Sequence, residues 1–136
     1  MEMFRILALD YGEKRIGIAL SDQMRTFSKP FSVLANNDGL WDELRNIINS
    51  QNVKQIVIGL PLNFEGKDTK KTSEIRNFST ELKKRIPLPC SFVNESFTSQ
   101  DANQMLKQLG YSIKDSRKVI DKVAAALILK NYLEQI

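Results

Sequence analysis

Three acidic residues, Asp10, Glu95 and Asp121, stand where a carboxylate could do chemistry, and the chain contains no histidine to share it. Without histidine there is no Ser-His-Asp or Cys-His mechanism and no imidazole-ligated metal. Cys90, the single cysteine, forms neither an internal disulfide nor a cysteine zinc site. Hydrolysis must therefore use carboxylates, lysines, backbone amides or a hard cation held through oxygen. Asp10 ends the apolar run Ile6 to Leu9, and Gly12 follows two residues later. A carboxylate at the mouth of a buried strand is costly unless it is paired, protonated or bound to metal. Two readings stand open for it: a metal ligand, or an acceptor for the amides of the turn.

The elements around these acids follow from pattern. Ile16, Ile18 and Leu20 alternate with Gly17 and Ala19, so residues 5–22 read as a β-hairpin whose second strand lets a ligand or another backbone approach closely. Phe27 to Ala35 reads as a third strand, placed at an edge by Pro30. Asp38 is the expected cap of a helix that carries Leu40, Trp41, Leu44, Ile47 and Ile48 and ends near Gln51. Trp41 reads as core or core edge. Gln55 to Gly59 suits a central strand covered on both faces. A loop, L-P-L-N-F-E-G-K, leads to a helix over Lys70 to Ile86 that Pro87 and Pro89 stop. Cys90 to Asn94 is a further strand with Glu95 just beyond it, and Thr98 with Asp101 predicts a capping box for a helix that Gly110 ends. Residues 111–117 are polar and read as a mobile loop over the site; the last helix then spans Lys118 to Glu134, with Asp121 in its first turn.

The resulting order, β-β-β-α-β-α-β-α-α, predicts an α/β fold: one domain over residues 1–136, with a five-stranded mixed sheet of antiparallel hairpin edge plus parallel strands, flanked by helices. Right-handed crossovers bring the carboxyl ends of the strands carrying Asp10, Gly59 and Glu95 to one rim, where ligands of open α/β sheets bind. Asp121 reaches that rim if the last helix lies across the sheet; otherwise it is only a favourable charge on a helix dipole. Two or three acids gathered there suit Mg²⁺ or Mn²⁺, and two such ions about 3.5–4 Å apart activate a water and stabilise a leaving oxygen. A chance gathering of surface acids is the alternative.

The segments D-Y-G-E-K-R-I-G-I-A-L-S-D, G-L-P-L-N-F-E-G, E-S-F-T-S and V-I-D-K-V-A-A-A-L-I-L, in that order, resemble the motifs of the YqgF-type nucleases of the RNase H-like superfamily. The resemblance covers nearly the whole chain. It implies an RNase H-like fold related to the RuvC resolvases, with Asp10, Glu95 and Asp121 as the metal-binding and catalytic acids. It also implies action on a ribosomal RNA precursor (processing of the 5′ end of pre-16S rRNA) or on branched DNA. The loop holding Asn63 and the basic segment 111–118, with Lys114, Arg117 and Lys118, would face nucleic acid. The family usually has Asp-Glu-Arg where this chain has Asn94, Glu95 and Ser96, so the central acid is kept while one charge and one phosphate contact are lost.

Composition agrees with an anionic partner. The net charge is +4 and the pI near 9.2. Lysines and arginines crowd residues 67–85, where Lys67, Lys70 and Lys71 are candidate phosphate contacts, as are Lys14 and Arg15 on the hairpin. A solvated helix face is the alternative for the run. The D-x-G hairpin also opens actin-like ATPases and sugar kinases, but these need a second lobe for which 136 residues leave no room. A non-catalytic nucleic-acid-binding module of the same fold is a further alternative, as is a resolvase-like DNA endonuclease. No apolar run approaches the ~20 residues that span a bilayer, and M-E-M-F-R lacks the layout of a signal peptide, so the expected location is cytoplasmic, without membrane partners. A monomer or weak homodimer is expected.

Overall fold

Period-2 alternation sets the architecture. In the computed structural model, residues 2–61, 69–94, 99–111 and 113–136 are described, with side chains throughout except at 99, 100, 102 and 113–119. The elements run β1 (Arg5–Asp10), β2 (Arg15–Ser21), β3 (Ser28–Ala35), α1 (Leu40–Ser50), β4 (Val53–Leu60), α2 (Lys70–Arg85), β5 (Cys90–Asn94), α3 (Ser99–Gln108) and α4 (Ile113–Gln135). The strands form one five-stranded sheet in the order β3-β2-β1-β4-β5. The pairs β1–β2 and β2–β3 are antiparallel, whereas β1–β4 and β4–β5 are parallel. The element order and the mixed sheet are those the sequence predicts.

Each central strand sends alternate side chains to two separate cores. Leu7 and Leu9 pack with Ile16, Ile18, Ile56 and Ile58 against Leu40 and Leu44 of α1 and Ile75 and Leu82 of α2. On the opposite face Ile6, Ala8, Ala19, Val57 and Val93 meet Ala125, Ala126, Ile128 and Leu129 of α4. Both surfaces are small at Ala8, Ala19 and the alanines of α4, so this helix lies close to the sheet. Leu106 of α3 joins Val123 and Leu127 on the outer side of α4.

Local signals explain most boundaries. Pro30 lies on the edge strand, and the β2–β3 register shifts beside its partner Ala19, where a missing donor is tolerated. Asn52, at φ 55°, makes the tight turn from α1 into β4 in a conformation that Asn accepts more readily than most residues. Thr69 and Thr72 form a reciprocal capping box at the start of α2. Gly110, at φ 81°, follows α3 as expected. Trp41 is half-buried and stacks on Phe78 with centroids 5.4 Å apart, the core-edge role expected of it.

Three expectations need correction or fall outside the described residues. Asp38 does not cap α1: the N-cap is Gly39, without a side-chain cap bond, and the neighbouring Asn37 Oδ1 instead accepts from Gly39 N at 2.9 Å. That two-residue Asx turn closes the bend before Asp38 can serve. Residues 113–117 are not a loop, since α4 begins at Ile113, and Asp121 therefore lies in its third turn rather than its first. Those polar opening turns have no apolar stripe to announce a helix, but Lys and Arg are good helix formers, and propagation from the buried half adds a bond per residue. The capping box of Thr98 with Asp101 lies outside the described residues.

A turn on the sheet's far side offers a pH test. Asp22 Oδ1 accepts from Thr26 N at 2.7 Å and Phe27 N at 2.8 Å, and its Oδ2 accepts from Met24 N at 3.3 Å. Partial burial acts to raise the Asp22 pKa, but the amide bonds together hold it below its ordinary 3.8. A depressed carboxylate contributes stability above its unfolded pKa, and the contribution is lost as pH falls through the folded value. Asp22→Asn should lower stability near pH 7 by about 1 kcal/mol, or roughly 3–5 °C in melting temperature. The gap to wild type should close as melts are repeated below pH 3.8. A gap that persists undiminished in acid would remove the carboxylate's charge as the cause.

Candidate metal and nucleic-acid site

Asp10 ends β1, half-buried, and lies directly opposite Gly17 of β2. Directly opposed residues of an antiparallel pair share a face of the sheet, so Asp10 is on the face that α4 covers. Gly17 is the reason α4 can come so close. A Cβ built on it would overlap the carbonyl group of Asp121 and reach 3.0 Å from Lys122 N. The backbone of α4 thus rests on a bare patch of β2, and Asp121 arrives beside the end of β1. Two acids far apart in the chain become neighbours of one glycine.

The third predicted acid, Glu95, follows Asn94 at the end of β5 and lies outside the described residues, as do Asn63, Lys67 and Ser96. Among the described residues no group of three or more His, Cys, Asp or Glu is assembled to hold a metal. Asp10 and Asp121 both carry hard oxygen donors of the kind Mg²⁺ and Mn²⁺ take, and both flank Gly17. Cys90 is no rival centre, because burial pushes its thiol above its ordinary pKa of 9.0 despite the Lys83 charge and a hydrogen bond with Ser79.

Sequence reading missed the partner of Asp121. Arg15 Nε donates to Asp121 Oδ2 at 3.1 Å. Arg15 precedes Gly17 by two residues in β2, hence shares its face, and that alternation was the available signal. The hairpin turn carrying Lys14 is pinned from β3: Asn36 Nδ2 donates to Gly12 O at 2.9 Å and Asn36 N to Lys14 O at 2.9 Å.

Lys70 and Lys71 are exposed in the first turn of α2 and, with Tyr11, Gly12, Glu13 and Glu74, line a cavity of about 350 Å³. They stand beside the turn that follows Asp10. Cations in a first helical turn oppose the helix dipole, so their placement is not explained by helix stability. Lys114, Arg117 and Lys118 lie on α4, with side chains outside the described set.

A family model described as RuvX, Holliday junction resolvase, matches residues 4–135. The chain belongs to that family. A relative from Maridesulfovibrio salexigens, named "Putative pre-16S rRNA nuclease", is 38% identical over 131 residues, covering 95% of this chain and 97% of the relative. One of the same name from Dictyoglomus turgidum is 33% identical over 134 residues, covering 97% and 95%. Thermus thermophilus RuvC superposes with a TM-score of 0.60 at 8% identity, covering 97% of this chain and 96% of that one. The Fowlpox virus resolvase, in its complex with substrate Holliday junction DNA, gives 0.59 at 15% identity, covering 97% and 98%. These neighbours fix the fold of this RuvX member as RNase H-like. Among the described residues no helix is long and apolar enough to cross a membrane.

Proposed function

We propose that this RuvX-family chain is a nuclease that hydrolyses phosphodiester bonds with Mg²⁺ or Mn²⁺, and that its substrate is the precursor of 16S ribosomal RNA, cut at the 5′ end in the cytoplasm. The observation that carries the reading is that Gly17 has Asp10 directly opposite it in the sheet and the backbone of Asp121 against it. Glu95, one residue past β5, is the third ligand on this reading. Divalent ions held by these residues would supply the chemistry of water activation and leaving-oxygen stabilisation. On this reading Asp10, Glu95 and Asp121 would hold the metal, and Lys14, Arg15, Asn63, Lys67, Lys70, Lys71, Lys114, Arg117 and Lys118 would hold the phosphate backbone. The names of the relatives support the RNA substrate.

A second reading, resolution of four-way DNA junctions, is favoured by the family's description and by the RuvC and Fowlpox virus resolvase folds. One assay separates the two. With Mg²⁺ or Mn²⁺ present, the chain should cut a 16S precursor at least tenfold faster than a four-way junction. Preference for the junction reverses the assignment, and failure to cut either leaves a non-catalytic binding module.

Binding should be largely electrostatic. Replacing Lys70 and Lys71 together by Gln should lower the slope of log affinity against log salt by about 1–2 units, with little change in sequence preference. An unchanged slope would make the start of α2 a solvated surface.

A further inference from the structure

Arg15 occupies the carboxylate that the metal-site reading assigns to a divalent ion. Its guanidinium contacts Asp121 Oδ2 at 3.1 Å, with the Arg15 side chain 65% exposed and that of Asp121 32% exposed. The pair is fixed at its base on both sides. Arg15 is the first residue of a strand tied to β1 and β3, and Asp121 is held where α4 rests on Gly17. Its upper part is open to solvent, so the bond is weak and exchangeable. A guanidinium beside a prospective metal ligand competes with the metal by charge and by occupying an oxygen. It is also a forked donor suited to phosphate.

We propose that Arg15 is a partner-exchanging residue: it neutralises Asp121 while the metal is absent, gives up that oxygen when a divalent ion binds, and then contacts a backbone phosphate of the substrate. Metal binding and substrate binding are thereby coupled through one side chain. The coupling is reciprocal, so substrate that draws Arg15 away from Asp121 tightens metal binding by the same factor. The inference rests on the metal-site reading above.

The test uses the intact chain and binding measurements alone. Mn²⁺ affinity is measured by titration calorimetry for wild type, Arg15→Gln, Lys14→Gln and Asp121→Asn. Arg15→Gln should bind Mn²⁺ about three- to tenfold more tightly than wild type, while Lys14→Gln, which removes a neighbouring charge outside the pair, should stay within twofold. The affinity of a fluorescent RNA hairpin is then measured in chelator and in Ca²⁺. Arg15→Gln should leave RNA affinity within twofold of wild type in chelator and weaken it about five- to tenfold in Ca²⁺. Equal Mn²⁺ tightening by the two charge removals, no tightening by either, or an RNA loss that is the same with and without metal overturns the exchange. If Asp121→Asn weakens Mn²⁺ binding and Arg15→Gln does nothing, only the exchange fails. If Asp121→Asn leaves Mn²⁺ binding unchanged, the metal site itself is wrong and the exchange falls with it.

Discussion

Asp10→Asn and Asp121→Asn should each lower nuclease activity by at least a hundredfold while leaving the circular dichroism spectrum and the sheet intact. Each exchange keeps the size of the side chain and removes one negative charge from the proposed metal site. An amide oxygen is a much poorer partner than a carboxylate for a small, strongly hydrated cation. The catalytic contribution of such a site lies in holding charge where it develops, and misplacement by about 1 Å can cost a factor on the order of 10². Stability should move little. Asp121→Asn loses an ion pair whose arginine is mostly exposed, and such pairs contribute about 0–1 kcal/mol. Glu95→Gln belongs in the same experiment, because it follows Asn94 at the end of β5. The decisive comparison is activity against Mn²⁺ concentration for the three variants and wild type. Ligand loss should move the half-saturating concentration upward as well as lower the maximum. Full activity in Asp121→Asn would take α4 out of the chemistry and leave Arg15–Asp121 as an ordinary surface pair.

How far the sequence led can be followed through individual residues. The hairpin, β4 and the start of α2 were legible because their signals are local: alternation, a β-branched run, and a break before Lys70. Pro30 marked an edge strand because a missing amide donor has few places to go. Asp10 was legible for a similar reason, as a charge ending an apolar run. Other features depended on tertiary geometry. The opening of α4 carries no apolar stripe, so periodicity could not distinguish it from a loop, and the lid expected over 111–117 gave way to a helix from Ile113. Asp121 moved with it, from a first-turn dipole charge to the third turn. Gly39 rather than Asp38 became the N-cap because the Asn37 side chain closes the bend first, and only backbone geometry chooses which residue does so. The Arg15–Asp121 bond joins positions 106 apart and has no signature in either neighbourhood. Gly17 lies between these cases: its small size announced a close approach but not which backbone would make it.

Gly17→Ala should be the most disruptive single-methyl change among the described glycines near the site. The added Cβ would meet the carbonyl carbon and oxygen of Asp121 and the amide nitrogen of Lys122, all backbone atoms, so no flexible side-chain end can swing aside. Either α4 lifts from β2 or the strand bends. Lifting also disturbs the packing of Ala125, Ala126, Ile128 and Leu129 on Ala8 and Ala19. Overpacking of this kind costs about 1–3 kcal/mol even where the core can adjust. Backbone on both sides puts this position near or above the upper figure, or roughly 10 °C in melting temperature. Gly39→Ala is the matched control: its Cβ would find only Asn37 Oδ1 at 3.4 Å, and its φ of −83° is ordinary, so its melting temperature should stay within about 3 °C of wild type. Activity should separate further than stability does. At a temperature where Gly17→Ala is still folded, displacement of Asp121 from Asp10 should lower cleavage about tenfold or more and weaken Mn²⁺ binding, whereas Gly39→Ala should leave both unchanged. A Gly17→Ala protein that melts with wild type and binds Mn²⁺ normally would show that α4 does not rest on β2 at this point.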